Sequence, residues 1–418
     1  MQYFVFIIVL VVLSWAVINI PFVKKSGLSS KIIVSLFITR IAAGLTLGWL
    51  AHYFSPLNDY TTLNNEGIFE YNHLIHEPRL FFSDIFYSPY HNAYGGYFDA
   101  VGSYWNDLRN NIITKFLAFL NLISRGNFNT NVLLLNVIPF LGSIAIYRIF
   151  ISIFPSRKWI VIFGSFLIPT TLLFSSGIHK DLFVFSALCF YSYGIFFSIT
   201  EKLSWKRWTI ILVSFLMILL MRNFLAMALI PATLGFVLSN KFKMKPVIVY
   251  GTIYILALAF IIISDLFSLP FQPLRIISDR QAEFLKLPKA HSQIELTNLT
   301  TDLKSFSKNF PEAIDHGFLQ PHFWEVHHWT GIVASMEWII LFLLPLIWVL
   351  LSRKKADTHS HFIWFGFAVA FTMFIMIGYI IPNLNSIVRY KSIYLPFIIT
   401  PIICLVRLNK PQQNILTL

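Results

Sequence analysis

An all-α fold that crosses a membrane many times is predicted by three features of this chain. Charged residues make up 12% of it and hydrophobic residues 56%, whereas a soluble domain is about 25% charged. Apolar runs of near-spanning length recur from end to end. The charges between those runs sort by sign onto alternate sides.

A helix needs about 20 apolar residues to cross the hydrocarbon core. Eleven runs are predicted spans: 3–23, 32–54, 130–153, 159–175, 182–199, 208–221, 224–239, 247–265, 331–351, 361–381 and 392–407. The first lacks the basic start and small-residue cleavage site of a secretory signal, so it is read as a retained span. The runs 208–221 and 224–239 are short, as spans are when tilted, broken or bordered by a cavity. No repeat and no low-complexity stretch divides the chain, so residues 1–418 are expected to form one membrane domain.

Positive charge predicts the orientation. The short loops after odd-numbered runs hold 16 of the 32 Lys and Arg, from Lys24 and Lys25 to Arg407 and Lys410. That side is assigned to the cytoplasm, which puts the N-terminus outside and the C-terminus inside a cytoplasmic membrane. The outer side collects 16 of the 19 acids and ten of the 12 histidines. The net charge of +13 is therefore read as topology and as affinity for anionic lipid or substrate, not for nucleic acid. Cys189 and Cys404 both lie in apolar runs and carry no redox or metal signal.

Two long outer segments, 55–129 and 265–330, need a role, because long structureless loops are uncommon. The stretch 104–124 spaces Ile112, Phe116, Phe119, Leu120 and Ile123 as an amphipathic helix in the interface does. The stretch 294–314 also reads as an amphipathic helix.

Four groups could carry chemistry. Asp59 is the first carboxylate after the second run, and Glu66 and Glu70 follow with i,i+4 spacing. A carboxylate beside low dielectric can act as a base; a solvated acidic loop is the plain alternative. "FSSGIHKDLF" (174–183) places His179, Lys180 and Asp181 in a tight outer turn. Lysine binds phosphate as a point charge, and Asp181 can orient it or cap the next helix. Plain hairpin chemistry accounts for the Ser, Gly and Asp, but less well for a cation on this side. Arg222 lies in the shortest turn of the chain, where a charge usually faces a cavity or a partner. Arg389, Tyr390 and Lys391 stand at the outer mouth of the last run, as cations in need of a counter-charge. Within the runs, Arg40 and Glu337 are expected to pair. His322, His327 and His328 with Glu325 match no zinc-protease spacing. The chain has no GxxxxGK[ST], no GxGxxG after a strand and no GxSxG. No cofactor is required by these residues, and a divalent metal is left open.

Asp59 in "NDYTTL", the amphipathic stretch 104–124, "RYKSIYLP" (389–396) and "IPTTLLFSSGIHKD" (168–181) together resemble the multispanning bacterial glycosyltransferases of the GT-C type and the O-antigen-like surface-polysaccharide polymerases. The resemblance implies transfer of a sugar or glycan from a polyprenyl phosphate or diphosphate donor to a glycan, lipid or protein acceptor at the outer face. It implies Asp59 as base, and Lys180, Arg222 and Arg389 as holders of the lipid phosphate, with His179 and Lys391 beside them and Asp181 and Tyr390 as orienting groups. Residues 59–61 read Asp-Tyr-Thr and lack the family's paired acids, which leaves Glu66 and Glu70 as alternatives. A secondary transporter or flippase for an anionic substrate is the competing class, and a membrane scaffold the third.

Overall fold

The computed structural model describes residues 2–54, 58–86, 103–267, 271–287, 292–326, 329–351 and 361–406. Among them every regular element is a helix, and there is a single isolated β-bridge, between Gln293 and Asn383. Helices α1 (Gln2–Asn19) and α2 (Ser30–Phe54) lead into a more polar pair, α3 (Asp59–His76) and α4 (Tyr104–Ser124). The next span joins α5 (Phe128–Leu135) to α6 (Val137–Ile153). After α7 (Pro169–Phe174) come four apolar helices: α8 (Lys180–Thr200), α9 (Trp205–Met221), α10 (Asn223–Lys241) and α11 (Pro246–Leu266). The second long segment, 265–330, holds α12 (Pro273–Leu285) and α13 (Leu303–Ile314). The chain then runs through α14 (Trp329–Trp338), α15 (Leu344–Leu351), α16 (His361–Ile380), α17 (Leu384–Ser392) and α18 (Leu395–Leu405).

The molecule is an all-α, polytopic membrane protein. Among the described residues eight helices are long and apolar enough to cross a bilayer, or nine if the bent pair α17–α18 counts as one span. Two of the eleven expected runs fall outside that set for physical reasons. The run 159–175 is broken: a short helix passes into a π-helical turn, Phe163–Leu167, before Pro169 opens α7. Helix α9 has 17 residues, about 25 Å at 1.5 Å per residue, which is less than a typical core. Helix α8 is apolar on all sides and lies at the centre, with 83% of its span buried; α1 and α11 are peripheral, at 6% and 17%.

Helices α3 and α4 are fixed by polar contacts that hydropathy does not reveal. Asn58 caps α3, accepting the N–H groups of Tyr60 and Thr61 at 3.1 and 3.0 Å. Helix α4 occupies the predicted range, and it presents Phe116, Phe119, Leu122 and Ile123 outward while burying Thr114, Lys115, Asn121 and Ser124 against the protein. Buried Asn131 donates to Asn64 at 2.9 Å and to Asn121 at 2.7 Å, and Asn121 donates to the Gly67 carbonyl at 2.9 Å. A buried amide left unpaired is costly, so this network specifies how α3, α4 and α5 meet.

Of the stretch 294–314, expected to be helical, only 303–314 is; Asp302 caps it and accepts the Ser305 N–H at 2.8 Å. The stretch before it is extended and clips onto the last spans. Ile294 donates to the Pro382 carbonyl at 3.0 Å, and Leu384 donates to the Ser292 carbonyl at 2.9 Å. Below this clip the backbones touch: a Cβ at Gly317 would lie 2.1 Å from the Phe374 carbonyl oxygen, so only glycine admits this approach to α16.

Arg40 and Glu337 do not pair as expected. Arg40 donates to Ser143 and Ser175 at 3.4 and 2.5 Å, while Glu337 accepts the N–H and hydroxyl of Thr170 at 2.7 and 2.5 Å. Each charge is met by nearby small polar groups, which a hydropathy scan cannot weigh.

Candidate functional site

Helix α8 begins at His179, whose backbone is extended and whose Nδ1 accepts the Asp181 N–H at 3.4 Å. The histidine therefore caps this helix, where the sequence pointed to the aspartate. The Asp181 side chain turns inward instead and is 1% exposed. Its Oδ1 lies 2.6 Å from Arg222, and its Oδ2 lies 2.9 Å from His179 Nδ1 and 3.5 Å from Arg389 Nε. A carboxylate this deep is tolerable because cations surround it.

Each partner is placed by a break in a helix. Arg222 is the single non-helical residue between α9 and α10. The Leu220 carbonyl beside that break accepts from Trp105 Nε1 of α4 at 3.0 Å. Arg389 comes from α17, the half-helix that meets α18 at 66° and is capped by Asn383. The Tyr390 ring packs against both guanidiniums, 4.1 Å from Arg222 and 5.3 Å from Arg389.

Asp59 starts α3, and its side chain is 63% exposed. Its Oδ2 lies 3.3 Å from His179 Nε2 and 3.4 Å from Arg389. The hydrogen bond from His179 holds the Asp59 carboxyl well below the usual carboxylate range, helped by the Arg389 charge and opposed by partial burial. Burial pushes the neighbouring Tyr60 phenol up to about 12.

A cavity of about 430 Å³ opens at this point. Asp59, Lys180, Arg222, Arg389 and Tyr390 line it. Two cations that sequence reasoning passed over join them: Arg109 of α4 and Arg280 of α12. Apolar side chains complete the lining, among them Phe224, Phe284, Met373, Met376, Ile377 and Ile380, and the Arg280 guanidinium lies over the Phe224 and Phe284 rings at 5.6 and 5.7 Å. The volume lies in the range of small-molecule sites, and the mixture of apolar wall and convergent polar groups is what such sites present. An anionic group attached to an apolar body fits this mixed lining.

Three residues singled out from the sequence lie elsewhere. Glu66 is exposed on α3, and neither it nor Glu70 lines the cavity. Glu70 pairs with buried Lys115 at 2.8 Å, and Asp84 completes that clamp at 2.6 Å. Lys391 is 3% exposed and donates to the Phe318 and Gln320 carbonyls at 3.2 and 2.8 Å, below the Trp338 ring. Helical rotation explains the separation: Arg389 and Lys391 are two apart, so they leave α17 on nearly opposite sides. His322 bonds to Asp315 at 3.1 Å, while His327 and His328 lie outside the described residues. Among the described residues no group of three or more His, Cys, Asp and Glu is placed to hold a metal ion.

Comparison with known proteins gives no match. No family model, no curated protein and no solved structure is significantly similar to this chain. The residues of the cavity wall thus carry the functional reading.

Proposed function

We propose that the chain is a membrane-embedded transferase that moves a sugar or glycan from a polyprenyl phosphate or diphosphate donor to an acceptor at the outer face of the cytoplasmic membrane. In this reading the protein crosses the bilayer eleven times, with the N-terminus outside. The broken segment 158–174 and the short helix α9 then join the nine apolar spans, and the cavity opens on the outer side. The enzyme resembles the GT-C glycosyltransferases and the surface-polysaccharide polymerases.

One observation carries the reading: the Asp59 carboxylate shares a single cavity with five cations and an apolar wall. The apolar wall takes the start of the isoprenoid chain, and the cations take the phosphate. Asp59, at the exposed end, accepts the proton of the acceptor hydroxyl as that oxygen attacks the anomeric carbon. The phosphate leaves with the bonding pair, and the cations stabilise its charge.

The test is transfer from polyprenyl-linked sugars in proteoliposomes. Asp59→Asn should lower the rate by about 10²–10⁴-fold, the range of a lost general base, with donor binding kept. Full product from Asp59→Asn would remove the carboxylate from the chemistry. A transporter for an anionic amphiphile is the second reading, favoured by the bent pair α17–α18, since broken helices at a substrate site are a transporter device. It is distinguished by movement of the donor across the bilayer with no new glycosidic bond.

A further inference from the structure

The five cavity cations are not equivalent. Arg222 and Arg389 are engaged by Asp181 and Asp59 at 2.6, 3.5 and 3.4 Å, two guanidiniums against two carboxylates. Arg280 pairs with Glu283 on its own helix at 3.2 Å. Arg109 and Lys180 differ. Arg109 donates to the neutral Asn106 amide, and its buried Nε has no partner among the described residues. Lys180 forms no ion pair and no hydrogen bond among the described residues, although it lines the same wall. Burial, together with the charges of Arg280 and Arg222, pushes the Arg109 guanidinium down to about 10. Two cations that feel Asp181 only at a distance and have no ion pair of their own, at one poorly solvated wall, are unfavourable until an anion arrives.

We propose that the cavity takes a diphosphate diester joined to an apolar chain, one phosphoryl group for each of Arg109 and Lys180, and not a monophosphate diester. This rests on the transferase reading of the cavity and chooses between its two donor classes. A sugar linked through one phosphate is a diester with one negative charge, which leaves one of the two cations unmatched. A sugar linked through a diphosphate carries one charge on each phosphoryl group and matches both. Arg222, Arg389 and His179 then serve to position Asp59 and shape the wall, with Asp181 as the common counter-ion of the two arginines.

The test uses compounds that differ only in the anionic group, with binding measured by calorimetry on the full chain in detergent. The pair is farnesyl methyl phosphate and P1-farnesyl P2-methyl diphosphate; P1,P2-dimethyl diphosphate lacks the tail. The diphosphate should bind at least about tenfold more tightly than the monophosphate, the smaller end of what a charge-assisted hydrogen bond supplies. Arg109→Gln and Lys180→Gln should each remove most of that ratio, and Arg109→Lys should restore part of it. An unchanged melting temperature shows that these variants are folded. Tight binding of the tail-less compound identifies a soluble diphosphate as the source of the headgroup, and weak binding identifies a lipid; both sustain the diphosphate. Equal affinity for the farnesyl pair, or a ratio that survives both glutamine variants, overturns the diphosphate and leaves the transferase reading in place. Failure of both farnesyl compounds to bind overturns the two together.

Discussion

The interior around Lys391 and the cavity wall around Lys180 each hold a lysine that lacks a carboxylate partner, yet they treat it in opposite ways. Lys391 reaches two carbonyls, at 2.8 and 3.2 Å, and stacks on two rings, Trp338 at 4.1 Å and Phe374 at 5.3 Å. Its donors are met from within, so it fastens the turn after α13 to α16 and α17. Lys180 has no such partners and faces open volume. Burial alone cannot tell a structural charge from a ligand-binding one. What separates them is whether the protein itself satisfies the group.

The largest expected effect comes from breaking what lies behind the wall. Asp181→Asn keeps the shape but leaves Arg222 and Arg389 without their shared counter-charge. Removing one partner of a buried ion pair costs about 3–5 kcal/mol. The melting temperature in detergent should fall sharply and anion binding should be lost with it. A normal melting temperature would show that solvent, not Asp181, balances the arginines.

The second experiment sets the two lysines against each other. Lys391→Met leaves two buried carbonyls without a donor and should cost about 1–3 kcal/mol of stability, with affinity for the diphosphate diester retained. Lys180→Met should do the reverse, lowering affinity about tenfold or more with little change in melting. If both variants lose stability alike, the division into structural and ligand-facing charge fails. A smaller effect belongs to the outer helices: Asn131→Ala deletes the donor shared by Asn64 and Asn121 and should cost about 1–2 kcal/mol. Proteolysis of the outer segment would report it as faster cleavage near α3 and α4.

Much of this molecule was legible before the fold was known. Hydropathy located the apolar helices, a cation on an unexpected side picked out Lys180 and Arg389, and a charge in the shortest turn picked out Arg222; the three line one cavity although more than 200 residues separate the first from the last. The same rule applied to Arg109 and Arg280 would have found them. They were passed over because α4 was read for its apolar spacing and α12 lay in a segment read for its acids. Lys391 was misplaced for a different reason. Hydropathy records that a cation is present but not which side of α17 it leaves from. The break at Phe163–Leu167 was hidden because an apolar run looks continuous whether or not its helix is, whereas the break at Arg222 shows as a charge between two short runs. The asparagine network shows the same limit, since partners 67 residues apart in the sequence give no local pattern.

The smallest effect is a titration, and it tests whether His179 belongs to the structural set or to the ligand-facing one. The hydrogen bond from His179 depresses the Asp59 carboxyl in the folded protein below its ordinary value of 3.8. A depressed carboxylate contributes stability that is fully present above the ordinary value and is lost as pH falls through the folded one. The difference in melting temperature between the native protein and Asp59→Asn should therefore shrink as pH falls below about 4. In a His179→Gln background Asp59 loses its main partner, so the difference should be small at every pH, with only the Arg389 contact remaining. The groups facing His179 are Asp59 and Asp181, with Arg222, Arg389 and Lys180 nearby, and the two guanidiniums keep their charge in this acid range. A difference that persists unchanged in the His179→Gln background would assign the hold on Asp59 to Arg389 and leave His179 as the cap of α8 alone.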